Sequence, residues 1–276
     1  MNSINFSIHK EAAYFCDKLF RLKREIKIQW KKDAHWGNQL QLSERQYDIN
    51  EIVTCLKDVF IHFRLRKVIQ QTIEQTYFYK DSEEIERISV LTYWVLSEQQ
   101  YATTIFGDLH SFDDYIITLF ENNITINQPI YFDSLATFNL KPLHTCLIKA
   151  VGYAIDELKR EEDHQRFIQS VREFIEHQKI KTKELHILQG EQFSFFKEDG
   201  KPFTTIELKT LMYKEPLYIV GLDENEMNLS PIITLSPRKI YIYGDHPSEA
   251  KTLTIINLFQ ERVIFLPKQK FPFDIY

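Results

Sequence analysis

Gly107-Asp108-Leu109-His110, followed by Asp113 and Asp114, is the stretch whose residue types could do chemistry most directly. A carboxylate and an imidazole two positions apart on one loop can share a divalent ion, and a Gly-Asp-x-His string resembles the metal-binding loops of phosphoesterases. Such sites need more ligands than one loop supplies. Neither a Gly-Asn-His motif nor a second Asp-rich turn follows downstream. Ser111 or Asp113 would equally well cap the helix that comes next, which is the ordinary use of a Ser/Asp-rich turn. Asp108, His110, Asp113 and Asp114 therefore stand as candidate metal ligands against a capping reading, and no metal or cofactor is expected.

Other strings have a functional and a plain reading too. Asp163-His164 has the residue pair of metal phosphohydrolases, but within the acidic run EEDHQ it reads as a solvated helix face. HFRLRK at 62–67 interleaves cations with apolar groups as phosphate-binding helices can. On a helix Phe63 joins the core stripe, which leaves Arg64 and Lys67 on the opposite, solvated surface. The loop Gly244-Asp245-His246-Pro247-Ser248 lies between a strand and a helix, a place where α/β folds bind anions. It has no Gly-rich cradle, and Asp245 can take the free helix N–H groups itself. Arg238 and Lys239 stand at the other end of the same strand and are the candidate contact surface.

Periodicity shows which elements must position these residues. Ile4, Phe6 and Ile8 alternate as in a strand, and from His9 the spacing of Ala12, Phe15, Cys16, Leu19 and Phe20 predicts a helix. Ile26, Ile28 and Trp30 restore alternation, with 35–42 as hairpin partner. Residues 46–121 read as mostly helical. Ile49 to Phe63 form one stripe, and Leu65, Val68, Ile69 and Ile73 continue it after a change of phase. The run 85–96 is apolar nearly all round and predicts a helix central to the core. Short strand pieces are expected at 124–126 and 130–132. Two helices should follow, one over 143–158 and one over 167–175, separated by a turn or kink at Glu161-Glu162-Asp163. From Glu184 the chain becomes β-rich, with a meander over 185–206 and Asp199-Gly200 as a tight turn. Pro231 and Pro237 bracket a helical turn before the strand KIYIY at 239–243. A buried helix over 253–259, with Pro247 near its first turn, and a strand over 263–266 complete a strand-helix-strand unit.

Composition narrows the function classes. With 276 residues, 43% apolar and 14% aromatic, the chain can bury a sizeable core. The net charge of −5 gives little bulk attraction to nucleic acid or anionic membrane. The charge is uneven, with nine Lys/Arg against six Asp/Glu in residues 1–50 and ten against sixteen in 101–200. Cys16, Cys55 and Cys146 show neither CxxC nor Cys-His metal spacing and read as buried free thiols of a reducing cytoplasm. The first fifteen residues lack the pattern of a signal peptide, and the longest apolar run, VLTYWVL at 90–96, is far short of a membrane span. A soluble cytoplasmic protein is expected.

The pattern PIITLSPRKIYIYGD, followed by a helix and then RVIFLP, resembles the C-terminal region of the YtxC-like sporulation proteins of spore-forming bacteria. A looser likeness lies in DSLATFNLKP at 133–142, where that family tends to read Gly-Phe-x-x-Phe-Arg-Leu before a long helix. Here Ser134 and Asn139 stand in place of the Gly and the Arg. The resemblance implies a sporulation context and carries no biochemical activity. Together these readings give an α+β fold: a small N-terminal α/β unit, a helix-rich centre and a C-terminal mixed sheet. The division is 1–129 and 130–276, or one continuous domain. The expected function is non-catalytic and sporulation-associated, acting through an unknown protein partner. The alternatives are a metal-dependent hydrolase using 107–114, or a nucleic-acid binder using basic helix faces of the N-terminal half.

Overall fold

Ile4, Asn5 and Phe6 are all buried, which requires the first strand to be covered on both faces. The structure is a computed structural model that describes residues 3–23, 25–33, 37–42, 48–125, 128–138, 141–222 and 226–273. The expectations for His35, Ile126 and Asn139 lie outside these. The fold is α+β, with two small mixed sheets among mainly helical elements. Packing divides the chain into two compact units, Met1–Arg160 and Glu161–Tyr276.

In the first unit, β1 (Ser3–Phe6) leads into α1 (His9–Leu22), and β2 (Ile28–Asp33) and β3 (Gly37–Leu42) form a hairpin. The sheet order is β2-β3-β1-β4, where β4 (Ile130–Tyr131) pairs parallel to β1. The stripe of α1 buries Ala12, Phe15, Cys16 and Leu19, but Phe20, expected on it, is 42% exposed. Phe20 lies at the margin of the arc that faces the core.

The central helices are α2 (Ile49–Phe63), α3 (Leu65–Thr76), α4 (Ser82–Ser97), α5 (Gln99–Phe106) and α6 (Phe112–Glu121). Asp48 and Glu51 make a reciprocal capping box that starts α2, and Asp81 accepts two backbone N–H groups to start α4. The change of phase falls at Arg64, which ends α2 and starts α3. The all-round core helix is not found. α4 buries Ile85, Ile88, Val95 and Leu96 but leaves Val90 59% exposed, with Tyr93 and Trp94 each 37% exposed. Ser89 and Thr92 occupy buried positions instead, bonding back to the carbonyls of Ile85 and Ile88. Residues 132–138, read partly as strand, form α7 (Phe132–Phe138).

The expected kink at 161–163 is absent. A single helix, α8, runs Lys141–His177. Glu is a good helix former, and no Gly or Pro falls between Tyr153 and His177, so the exposed acidic stretch continues the helix as a solvated turn.

The second unit holds β5 (Thr182–Leu188), β6 (Ser194–Phe196), α9 (Thr205–Met212), α10 (Ser230–Leu235), β7 (Pro237–Tyr243), α11 (Ala250–Phe259) and β8 (Val263–Leu266). Its sheet is ordered β6-β5-β7-β8, with β5, β7 and β8 parallel and β6 antiparallel. The helical turn between the prolines and the strand-helix-strand unit are both as the sequence predicts. Pro247 lies ahead of α11, which begins at Ala250.

One ionic junction organises the first unit. Glu11 is 1% exposed and receives both Nε and Nη2 of Arg64, the latter at 2.8 Å. Nη2 also reaches Asp133 Oδ1 at 2.8 Å, and Asp133 Oδ2 accepts the Ser7 backbone N–H at 3.0 Å. Arg64, expected on a solvated face with Lys67, is therefore committed inside the fold; Lys67 is exposed. Removing the guanidinium would strand a buried carboxylate. Arg64→Ala should lower stability by about 3 to 5 kcal/mol in equilibrium denaturation, and Arg64→Lys should recover only part because lysine lacks the bidentate fork. A loss below about 1 kcal/mol would mean that Glu11 finds water when its partner is gone.

Candidate functional site

Strand β7 lies between β5 and β8, and its side chains alternate between two environments. Ile240 and Ile242 face a core shared with Leu185 and Ile187 of β5 and with Ile233, Ile255 and Leu258 of the helices. Tyr241 and Tyr243 project from the opposite side. There the imidazole of His186 stacks on both phenol rings, with centroids 5.0 Å from Tyr241 and 5.8 Å from Tyr243. Phe273 meets the His186 ring edge-on at 5.0 Å, and Phe271 meets Tyr243 at 5.2 Å, so the segment after β8 closes over the plate. Gly200 has φ +84°, and an added Cβ there would come within 2.5 Å of the Phe273 ring. The Asp-Gly turn thus needs glycine for its conformation and for the ring beside it.

His186 Nδ1 lies 3.0 Å from the Tyr243 hydroxyl. Burial lowers the His186 pKa below its ordinary value, opposed by the carboxylates of Glu184 and Glu198. The sequence reading missed this plate. Its signal was the Tyr-x-Tyr half of KIYIY, which needs a cover of its own once the isoleucines take the helical core.

The amino-terminal edge of the sheet looks different. Arg238 and Lys239 are both exposed, and neither side chain makes a hydrogen bond or ion pair among the described residues. Lys239 is in register with Glu184, but that carboxylate lies 3.5 Å from the Tyr241 hydroxyl and 3.9 Å from His186 Nε2. Three lysines of this unit are paired, Lys181 with Glu215 at 2.6 Å, Lys197 with Glu207 at 3.0 Å and Lys201 with Asp199 at 2.9 Å, whereas exposed Lys183 of β5, like Arg238 and Lys239, has no ion pair among the described residues.

At the carboxyl end of the sheet the anchor is not Asp245. Gln189 donates to the His246 carbonyl, to Glu249 and to Thr252, and accepts the His246 N–H at 3.0 Å. A Cβ on Gly244 would lie 2.1 Å from the Gln189 side chain, so glycine makes room for this weld. Asp245 makes no side-chain bond among the described residues, and Glu249 at the N-cap of α11 makes no side-chain cap bond.

The turn expected over 107–114 covers 107–111 only, because Ser111 is the N-cap of α6 and residues 112–114 form its first turn. Ser111 Oγ accepts the Asp114 N–H at 3.1 Å and donates to Asp114 Oδ2 at 2.7 Å. Asp113 pairs with Lys57, which also lies 3.3 Å from Asp58. Asp108 and His110 are exposed. His110 and Asp113 border a cleft of about 350 Å³ floored by Leu65, Leu96, Ala102 and Phe106. Among the described residues, no three His, Cys, Asp or Glu side chains gather as metal ligands. Asp163 pairs with Arg166 on the exposed face of α8. Burial pushes the Cys16 thiol up to about 11 and those of Cys55 and Cys146 up to about 12, which leaves them without thiolate at neutral pH.

Comparison with known proteins gives the same family that the C-terminal pattern resembles. The model of the YtxC-like family matches residues 50–264. The chain is 28% identical over 207 residues to the uncharacterized protein YtxC of Bacillus subtilis (strain 168), covering 72% of this chain and 70% of that protein. No solved structure matches. No described helix is long and apolar enough to cross a membrane.

Two outcomes are expected from this geometry. The fold holds His186 neutral, so its contribution to stability is complete above the unfolded pKa of about 6.5 and is lost as the pH falls from there through the depressed folded value. Thermal melts from pH 8 to 5 should show this loss, and His186→Gln should flatten that part of the profile; an unchanged slope in the variant would assign the loss to other groups. For the 107–114 loop, Mn²⁺ or Zn²⁺ should leave the melting temperature unchanged, because Ser111 and Lys57 already engage two of its carboxylates. A bound ion at a hundred times its Kd would instead stabilise by about 2.7 kcal/mol, and a rise abolished by Asp108→Ala and His110→Ala would establish a metal site.

Proposed function

The chain belongs to the YtxC-like family, and from that membership we propose that it is a non-catalytic, sporulation-associated protein of the cytoplasm that works by binding a partner protein through Arg238 and Lys239. The observation that carries the reading is the state of these two cations. They stand exposed and without an ion pair near the start of a central strand, and exposed Lys183 of β5 lies in register beside Arg238. A strand can begin with any residue that tolerates extended backbone, and two adjacent long cations add little to its stability there. They are available to a partner that brings negative charge.

Charge and fold can be separated by substitution. Arg238→Glu with Lys239→Glu should change stability by less than about 0.5 kcal/mol each, as exposed substitutions usually do, and should block sporulation when the variant replaces the parent gene. Ile242→Ala should cost about 2 to 5 kcal/mol as a core truncation and reduce sporulation only through loss of soluble protein. Normal sporulation by the stable charge-reversed variant would remove Arg238 and Lys239 from the function.

A further inference from the structure

A strand at the margin of a sheet has one row of backbone groups without a partner, and folded chains protect that row in recognisable ways. β2, at one margin of the first sheet, carries exposed Lys31 and Lys32, and β4, at the other, is only two residues long. β6, at one margin of the second sheet, is covered by the turn that follows it. There the Lys197 N–H donates to the Lys201 carbonyl at 2.9 Å and the Phe203 N–H to the Phe195 carbonyl at 2.8 Å. β8, at the other margin, has none of these protections among the described residues. It reads Val-Ile-Phe-Leu, without a charge, a proline or a glycine, and Ile264 is 39% exposed.

The ladder between β7 and β8 fixes which groups of β8 point outward. The two strands are parallel with Ile242 opposite Phe265, and the Gly244 N–H donates to the Leu266 carbonyl at 3.0 Å. Successive residues of a strand direct their backbone groups to opposite sides, so Ile264 and Leu266 bond β7 while Val263 and Phe265 turn away from it. The Val263 N–H is taken by the Gln260 carbonyl. The Val263 carbonyl and both the N–H and the carbonyl of Phe265 have no hydrogen-bond partner among the described residues. Apolar side chains flank this open row on both faces. Val263 and Phe265 pack against the helical core, and Ile264 and Leu266 lie on the side of Tyr241 and Tyr243.

Donors and acceptors spaced along one extended strand are matched by the backbone of another. A second copy of β8 fits poorly. Antiparallel self-pairing about Ile264 needs the Val263 N–H that Gln260 already holds, and self-pairing about Phe265 sets the Val263 carbonyl against Pro267, which has no N–H. Either register leaves one acceptor of each chain unmatched. A strand of another protein is under neither constraint and can satisfy all three open groups. We infer that the free edge of β8 receives an extended segment of the partner protein as a fifth strand of this four-stranded sheet, with apolar side chains beside Val263, Ile264 and Phe265. The inference rests on the partner reading above and names the backbone contact by which that partner is held. β7, which carries Arg238 and Lys239, is the strand next to β8, so the added segment runs roughly 10 Å from them.

Amide hydrogen exchange on the full chain tests the edge. In the free chain the Phe265 N–H should exchange about tenfold or more faster than those of Ile264 and Leu266, which β7 holds. A short peptide of alternating valine and threonine is the probe. In excess it should slow exchange at Phe265 in a saturable way, whereas the same peptide N-methylated at every amide should not. Ile264→Lys puts a charge on the edge; it should melt like the parent, weaken the peptide about tenfold or more and block sporulation, while the uncharged, β-branched Ile264→Thr keeps both functions. A Phe265 N–H that is already as slow as that of Leu266 in the free chain, or that the peptide leaves unchanged, overturns the strand site. A dimer that protects Phe265 and is abolished by Ile264→Lys overturns the foreign strand in favour of a second copy. The two readings fail separately. Normal sporulation by Arg238→Glu/Lys239→Glu removes the cations and leaves the exchange result standing, whereas normal sporulation by a stable Ile264→Lys overturns the edge as the seat of the partner and leaves the cations.

Discussion

The buried carboxylate of Glu11 is the constraint around which the N-terminal unit is arranged. A charge on the inner face of α1 is tolerable only with a cation in bidentate contact, and Arg64 supplies it from 53 residues away. Arg64 can do so because it stands where two helices meet. Its N–H closes α2 on the Phe60 carbonyl at 2.8 Å, and its carbonyl accepts the Val68 N–H at 3.1 Å to open α3. The same guanidinium holds Asp133 at the start of α7, which in turn takes the Ser7 N–H between β1 and α1. One cation therefore sets the angle of the helix pair and the turn that leaves the sheet. Neighbouring elements need no such device. Lys57, also nearly buried, is matched by Asp113 and Asp58 on a helix pair already locked by Phe60 against Phe120.

What the sequence made legible follows from what periodicity measures. Apolar spacing reports which face of an element is buried, so α1, α2 and the strand-helix-strand unit were readable, and so was the helical turn between Pro231 and Pro237. Spacing does not report what a charged residue meets across the fold. Arg64 read as solvent-facing because its partners are Glu11 and Asp133, neither of them on its own helix. Acidity at Glu161-Glu162-Asp163 suggests a break by type, but it marks only a change from a buried to a solvated stretch of one helix. The run at 85–96 shows the converse error. Val90, Tyr93 and Trp94 are apolar by type but exposed, while Ser89 and Thr92 take inner positions by satisfying their hydroxyls on the preceding turn.

The candidate site was legible by half. Arg238 and Lys239 could be singled out as cations on an otherwise apolar strand, and both are exposed. Arg262 could not, since only the parallel pairing of β7 with β8 brings it beside Lys239. The plate of His186, Tyr241 and Tyr243 was hidden for a related reason. In a central strand both faces are covered, and an alternation of isoleucine with tyrosine looks the same whether the tyrosines meet solvent or rings from a distant segment. At the carboxyl end, the choice of Asp245 as cap followed from sequence proximity to the helix. The structure uses Gln189 from the adjacent strand, whose amide can donate and accept at once and so ties the loop and the helix start together.

The two units differ in how completely an arginine is satisfied within the fold. At Arg64 every charged neighbour has a counterpart: buried Glu11 is matched, Asp133 is shared with a backbone N–H, and no donor of that guanidinium is left buried and orphaned. Such a group stabilises the fold, and nothing further needs to bind there. At Arg262, beside Lys239 in the register of β7 and β8, a guanidinium N–H is buried without an acceptor among the described residues. An apolar residue at 262 would relieve that cost. Buried side-chain atoms without partners are not confined to this edge, since Asn5 Oδ1 and Asn228 Oδ1 are among them, so the difference between Arg64 and Arg262 lies in how completely each guanidinium is paired.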